Sequence, residues 1–344
     1  MGDFMQLIEK SLSGLKLAEP INSRNLSMFP IAGEGSRQPD YLLLDQAISL
    51  RCVHVTEVSE SGSVPELKFI NESDRRIFLM DGEELVGAKQ NRVLNLSILV
   101  PAGKTIVIPV SCVERGRWGY QSREFTSSQS AHYAEARAMR HEQVSASLKE
   151  TGLRNSNQSE LWEMNDLKAS RMRVHSPTSA MDAMYETHTG DIEEFVRAFT
   201  AREDQVGALF AIDGKIVGFD VFDCTATLRY LLPKLARSYA LDAIESSFSK
   251  NQGDPALGSP TLAEAGEFLR SVVEARAETF PAVGEGVDVR LTGPAVTAAA
   301  LVAEERLVHM SAFHLVEGSD TGAGLPGSRL NRPSMRARGS GAGR

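Results

Sequence analysis

Residues 205–223 read QVGALFAIDGKIVGFDVFD. Asp213-Gly214 sits between two alternating apolar runs. That is the signature of a hairpin closed by a two-residue turn, whose central positions need the left-handed backbone that Asp and Gly tolerate. A strongly specified hairpin so late in the chain requires partners. The apolar runs VDVRL and LVHMSAFHLV, within 287–316, are placed either to pair with it or to extend an earlier sheet.

An earlier β region is legible over 26–116. In SLRCVHVTEV (49–58), Leu50, Cys52, His54, Thr56 and Val58 share one face, and Val53 and Val55 the other. Further short runs at 67–70, 76–80, 93–100 and 105–110 are separated by Ser-Gly, Asn-Glu-Ser-Asp, Asp-Gly and Pro-Ala-Gly turn signals. The pattern then turns helical. Residues 3–14 are amphipathic. Ser127–Thr151 reads as a long polar helix with a narrow alanine-rich face, and Ser159–Val174 carries Leu161, Trp162, Met164 and Leu167. Ser176-Pro177-Thr178 reads as a helix start, and Ile192, Phe195, Val196 and Phe199 keep helical spacing. After the hairpin, Asp223 is placed to cap a helix bearing Leu228, Leu231, Leu232 and Leu235, which Pro233 should delay or kink. GDPALGSP is a loop, and Thr261 with Glu264 forms a capping box.

No repeated strand–helix alternation occurs, which argues against a doubly wound parallel fold. The expectation is an α+β protein in which an N-terminal antiparallel β-rich region packs against helices and C-terminal strands complete a sheet. Residues 1–316 are read as one domain (β-rich 20–118, helical 127–203, mixed 205–316). Residues 317–344, rich in Gly, Ser and Arg, are read as a disordered tail.

The function classes that remain are narrowed by charge and cysteine usage. The net charge is −8, and because five arginines and no acid follow Asp320, the body is more acidic still. An acidic body is a poor partner for a phosphate backbone, so nucleic acid is disfavoured. The chain lacks the roughly 18 consecutive apolar residues of a membrane helix. Its N-terminus, MGDFMQLIEKSLSGLKL, has no secretory pattern. Three cysteines, Cys52, Cys112 and Cys224, match no zinc or redox spacing. Together these features indicate a reducing cytoplasm and no membrane partner.

Two charged motifs stand out. LMDGEELVGAKQNR (79–92) follows an apolar run and brings Asp81, Glu83, Glu84, Lys89 and Arg92 together; small residues at Gly87-Ala88 permit close approach of a backbone or ligand. IPVSCVERGRWGYQSR (108–123) leaves a β run with Cys112, Glu114, Arg115, Arg117 and Trp118. Cations beside paired carboxylates can position an anion and a water, and an Arg–Trp group can stack a ring. The plainer alternatives are a solvated turn with surface ion pairs, a buried structural Cys112 and Trp118 as a sheet anchor. The histidines offer little: His309 and His314 face opposite sides of a strand, and His132 and His141 opposite sides of a helix. Asp220 is assigned to a strand end. No zinc, P-loop or nucleophile-elbow motif occurs, and no metal site or cofactor is assigned. The one metal chemistry left open is an oxygen-ligated ion on carboxylates such as Glu83, Glu84 and Asp220.

With these residues quoted, the chain resembles the ARG- and rhodanese-phosphatase-superfamily-associated protein domain, a prokaryotic domain of unknown function. The likeness is carried by DGEELVGAKQNR (81–92), IPVSCVERGRW (108–118) and the hairpin (205–223), and spans about 20–316. It implies a context of ADP-ribosylglycohydrolases, hence of ADP-ribose- or NAD-related nucleotides. On that reading the domain binds, and by extension hydrolyses, a small phosphorylated nucleotide-like ligand. Lys89, Gln90, Asn91, Arg92 and Arg117 would hold the anion, Trp118 would stack a ring, and Glu83, Glu84 and Glu114 would supply the acid–base chemistry. The alternative is a non-catalytic accessory module that recognises a partner protein, its charges forming a structural network.

Overall fold

The computed structural model describes residues 2–249 and 258–315. The tail at 317–344 and most of the loop at 253–260 lie outside the described residues. The hairpin forms: Gln205–Ile212 pairs antiparallel with Lys215–Phe222, and Asp213 and Gly214 take φ of 51° and 72°. It lies at the middle of a nine-stranded sheet. On one side Leu26–Ala32 pairs with Gln205–Ile212 and carries Lys16–Leu17 and Ile21–Ser23 on its other edge. On the other side Arg306–His314 pairs with Lys215–Phe222, followed in order by Val296–Ala303, Val287–Gly293 and Arg276–Pro281. The C-terminal strands therefore complete the sheet by pairing with the hairpin.

Helices cover both faces of this sheet, so every residue of Gln205–Ile212 is buried where a one-faced sheet would alternate. On one face, helices Gly2–Ser13 and Leu262–Val273 pack Ile8, Leu12, Phe268 and Val272 against Phe29, Leu209, Phe219 and Met310. The expected capping box, Thr261 with Glu264, starts the second of these. On the other face, Leu228, Leu231, Leu232 and Leu235 of helix Thr225–Ser249 and Ile192 and Phe195 of helix Thr189–Ala198 cover Phe210, Phe222 and Phe313.

The N-terminal β region builds two further sheets. Ile98–Val100, Arg76–Leu79 and Tyr41–Leu43 form one, its last pairing parallel. Phe125–Ala131, Glu83–Gly87, Arg92–Leu94, Thr105–Cys112, Glu66–Asn71 and Val53–Glu57 form the other, in that order. Their separate core includes Leu67, Phe69, Ile77, Leu85, Ile108 and Val110. No helix among the described residues is long and apolar enough to cross a membrane.

Five local expectations are corrected. The long helix begins at Ala134, and Phe125–Ala131 is a strand paired with Glu83–Gly87; pairing across the sheet decides the state of a Ser/Thr-rich segment with weak helical preference. Nor is that helix polar with a narrow buried face, since Ala134 through His141 are all buried. Ser176-Pro177-Thr178 forms a turn, with helix onset at Asp182; the Thr178 carbonyl accepts from the Gly116 amide at 2.8 Å. Helix Thr225–Ser249 runs through Pro233 without a delayed start, its leucines held by the sheet. The Asp223 carboxylate, expected as a cap, instead accepts from the Tyr41 hydroxyl at 2.6 Å and pairs with Arg306 at 3.1 Å.

Gly218 tests the tightness of the central sheet. A Cβ there would be driven into the Ala312 carbonyl of the adjacent strand and to 2.8 Å from the Phe313 ring. Gly218→Ala should lower unfolding stability by roughly 1–3 kcal/mol in urea denaturation; an unchanged midpoint would mean the two strands are less closely set.

Candidate functional site

The first motif is not a solvated turn. Gly82 makes the turn with φ of 83°, yet Asp81 is only 1% exposed. Helix Ala134–Thr151 sends Arg137, Arg140 and His141 toward it from one face, as the i, i+3, i+4 spacing requires. Arg137 bridges two carboxylates, at 2.9 Å from Asp81 and 2.6 Å from Asp220. Arg140 donates to Asp81 at 3.1 Å and contacts His132 at 2.7 Å. His141 lies 3.2 Å from Asp81, and His309 3.3 Å from Asp220. Ser97 accepts from the Asp81 amide at 2.9 Å and meets His309 at 2.8 Å. A cavity of about 10 Å³ beside Asp81, lined also by Ser97, Arg290, His309 and Ser311, has room for one water.

This network revises two readings. Asp220 is the second anchor of the network, not merely a strand-end residue. His132 precedes the helix, and with His141 joins the same cluster through Arg140 and Asp81. Burial would raise the Asp81 carboxyl, but Arg137, His141 and Arg140 outweigh it and hold it well below the ordinary range. Asp220 is held down in the same way by Arg137 and His309. Burial lowers His132 and His141, leaving both neutral at pH 7, and brings Arg140 down to about 10. The signal was present in sequence as the charged i, i+3, i+4 set at 137, 140 and 141.

Along strand Glu83–Gly87, successive side chains leave on opposite faces. Glu83 accepts from Lys234 at 2.7 Å, and Lys234 also holds Asp45 at 3.1 Å. Glu84 enters a different environment. One oxygen accepts from the Ser128 hydroxyl at 2.9 Å, while Oε1 is buried without a partner. Burial, then the charges of Asp182 and Glu114, raise Glu84 to about 8, so it is largely protonated at neutral pH. Asp182 is itself raised by burial and by Glu186 and Glu114.

The two motifs do meet beyond Gly87. Asn91 is the joint: its backbone donates to Glu114 at 3.2 Å, and its side chain donates to Asp182 at 3.2 Å and accepts from Arg117 at 3.0 Å. Arg117 pairs with Glu114 at 2.6 Å. Burial pushes the Glu114 carboxyl up, but bonds from Arg117 and the Asn91 amide prevail and lower it. Lys89 donates to the Glu60 and Ser61 carbonyls at 2.6 and 2.7 Å. Gln90 Oε1 accepts from Arg92 at 3.2 Å and from the Cys112 thiol at 3.0 Å. Burial raises the thiol, so Cys112 is a buried, protonated structural cysteine.

Arg92 is the exception in this cluster. It is fully buried, and Nε and Nη2 lack hydrogen-bond partners. Its other bonds go to neutral oxygens of Gln90 and Asn91. Trp118, half exposed, lies over it at 5.8 Å and over Lys89 at 5.3 Å. Trp118 is thus no sheet anchor; it belongs to an exposed excursion at 115–124 that crosses the first motif, its Gly119 and Gln121 amides donating to the Lys89 and Ala88 carbonyls.

The structure therefore gathers Lys89, Gln90, Asn91, Arg92, Glu114, Arg117 and Trp118, sets Glu84 beside them, and places Glu83 with Lys234 elsewhere. Glu83, Glu84 and Asp220 sit in three different clusters, so the oxygen-ligated ion considered on them has no shared site. Sequence reasoning also missed Glu135, Asp242 and Glu245, whose carboxylate oxygens converge. A lysine occupies that convergence: Lys168 pairs with Asp242 at 2.6 Å and with Glu245, over the Tyr133 ring at 4.3 Å.

Fold and site together define an α+β protein with a buried ionic centre and a neighbouring basic, aromatic-capped cluster. Residues 14–313 match the family described as the ARG and Rhodanese-Phosphatase-superfamily-associated Protein domain, and the chain belongs to it. No curated protein and no solved structure matches the chain.

Two outcomes follow. Arg137→Met leaves Asp81 and Asp220 buried without their shared cation and should cost about 3–5 kcal/mol in denaturant unfolding. Glu84 has a folded pKa above its unfolded one, so the folded state holds the extra proton and stability falls as pH rises from the ordinary glutamate range to about 8. Glu84→Gln should remove that slope in a series of melts from pH 5 to about 8; an identical slope would locate the titration elsewhere.

Proposed function

We propose that the protein binds a small phosphorylated, ring-bearing ligand of the ADP-ribose or nucleotide kind at the Arg92–Trp118 cluster. One observation carries the reading. Arg92 is a buried guanidinium with two free nitrogens and no ion pair among the described residues. A buried charge is costly unless it is paired. A phosphate oxygen is the partner that a guanidinium fork fits best, and Trp118 offers a ring face above it. The excursion at 115–124 must lift for the ligand to enter, since Arg92 has no exposed surface.

Hydrolysis extends this reading through Glu84. Glu83 is committed to Lys234, and Glu114 to Arg117 and Asn91, which leaves Glu84 as the carboxyl free to give a proton. It would act as general acid toward the leaving oxygen of a bound ester or glycoside. A second reading has its own observation: Trp118 and Tyr120 are 50% and 55% exposed, and such an aromatic pair suits a partner protein.

Calorimetric titration with ADP-ribose, NAD and ADP tests the proposal. At least one should bind, and Arg92→Met should weaken it by about tenfold or more, the loss of one charge-assisted contact. Trp118→Ala should weaken ring-bearing ligands more than inorganic phosphate. Absence of binding by all three, with wild-type stability intact, would favour the partner-binding reading. Hydrolysis of the bound ligand that survives Glu84→Gln would remove Glu84 from the chemistry.

A further inference from the structure

A cleft of about 760 Å³ lies away from both clusters, where Gln38, Pro39, the strand Tyr41–Leu43 and helix Leu44–Ser49 face the first turns of helix Thr225–Ser249. That volume falls within the range of small-molecule sites, and a seam between packed units is where such sites occur. Arg75 and Arg229 line it, and no acidic side chain does. This is notable in a chain of net charge −8. The nearby Asp45 carboxylate is already neutralised by Lys234 at 3.1 Å. Arg229 is exposed and makes no ion pair among the described residues. Arg75 Nη2 donates to the Pro39 and Tyr41 carbonyls at 3.2 and 3.0 Å, which fixes its guanidinium in the wall.

The remaining lining is apolar with polar points. Leu50 and Tyr230 are 65% and 43% exposed and form an open hydrophobic rim. Thr227 and Tyr41 close the floor, their hydroxyls 2.9 Å apart, with Tyr41 donating to Asp223. The floor is thus internally satisfied, and the unmatched features of the cleft are one free guanidinium and one apolar rim.

We infer that this cleft is a second binding site, for a small organic oxyanion carrying an aromatic or apolar body. The Arg229 guanidinium takes the anionic group, and Leu50 and Tyr230 take the body. Carboxylates and phosphates share the oxyanion chemistry a guanidinium fork recognises. The site is independent of the Arg92 cluster, none of whose residues lines it.

The test is calorimetric titration of the full chain with phenyl phosphate, benzoate, inorganic phosphate and phenol. At least one aromatic anion should bind, at least about tenfold more tightly than phenol and than inorganic phosphate. Arg229→Ala, an exposed position whose loss does not threaten folding, should weaken it about tenfold. Leu50→Ser should weaken it as well, and Arg92→Met should leave it unchanged. Which anion prevails distinguishes a carboxylate from a phosphate ligand. The inference fails if neither aromatic anion binds at about 10 mM, if Arg229→Ala binds as the wild type does, or if phenol or inorganic phosphate binds equally well. A loss of binding in Arg92→Met alone would assign the signal to the other site.

Discussion

One guanidinium joins the parts of this molecule. Arg137 leaves a buried helix and holds Asp81, from the turn of the N-terminal β region, and Asp220, from the central hairpin. Neither carboxylate tolerates burial alone, and the cation is equally costly without them. Three elements far apart in sequence are thereby tied to one geometry. Hydrophobic burial supplies the bulk of the stabilisation, but it is indifferent to small rotations of one β region against the other. A shared ionic centre is not, because its hydrogen bonds require fixed directions.

The same economy of placement explains why the charged motifs are mostly inside. Gly82 turns the chain so that Asp81 points inward, and strand alternation sends Glu83 and Glu84 to different partners. Lys234 answers one and Ser128 the other. Asp81 and Asp220, which share Arg137, are held below the ordinary carboxylate range; Glu84, which finds a hydroxyl and two other acids, keeps its proton. The contrast between adjacent residues comes from the two-residue period of a strand and from which helix lies over each face.

Much of the architecture was legible in sequence. The Asp213-Gly214 hairpin, the leucine face at 228–235 and the Thr261–Glu264 capping box are local patterns, and local physics decides them. What was not legible depends on distant partners. Ser127–Ala131 is a strand because Glu83–Gly87 lies beside it, and Asp223 leaves its helix because Tyr41 and Arg306 reach it first. Residues 89–92 meet 114–118 because the strands Arg92–Leu94 and Thr105–Cys112 pair beside them, and nothing local separates Glu83 from Glu84 by role. The histidines at 132, 141 and 309 show no telling spacing within any one element, whereas the network that joins them crosses three.

The two ends of the nine-stranded sheet bear on how this chain behaves among its own copies. A sheet of this width presents two rows of unpaired backbone groups, each able to accept a strand from a neighbour. One end is the two-residue strand Lys16–Leu17, too short to template a ladder. The other, Arg276–Pro281, begins with an exposed arginine and closes on a proline that has no amide to donate. Lateral growth is thus blocked at both margins, and the hairpin's unbroken apolar strands, which would be hazardous at an edge, are kept at the centre where no other chain can reach them.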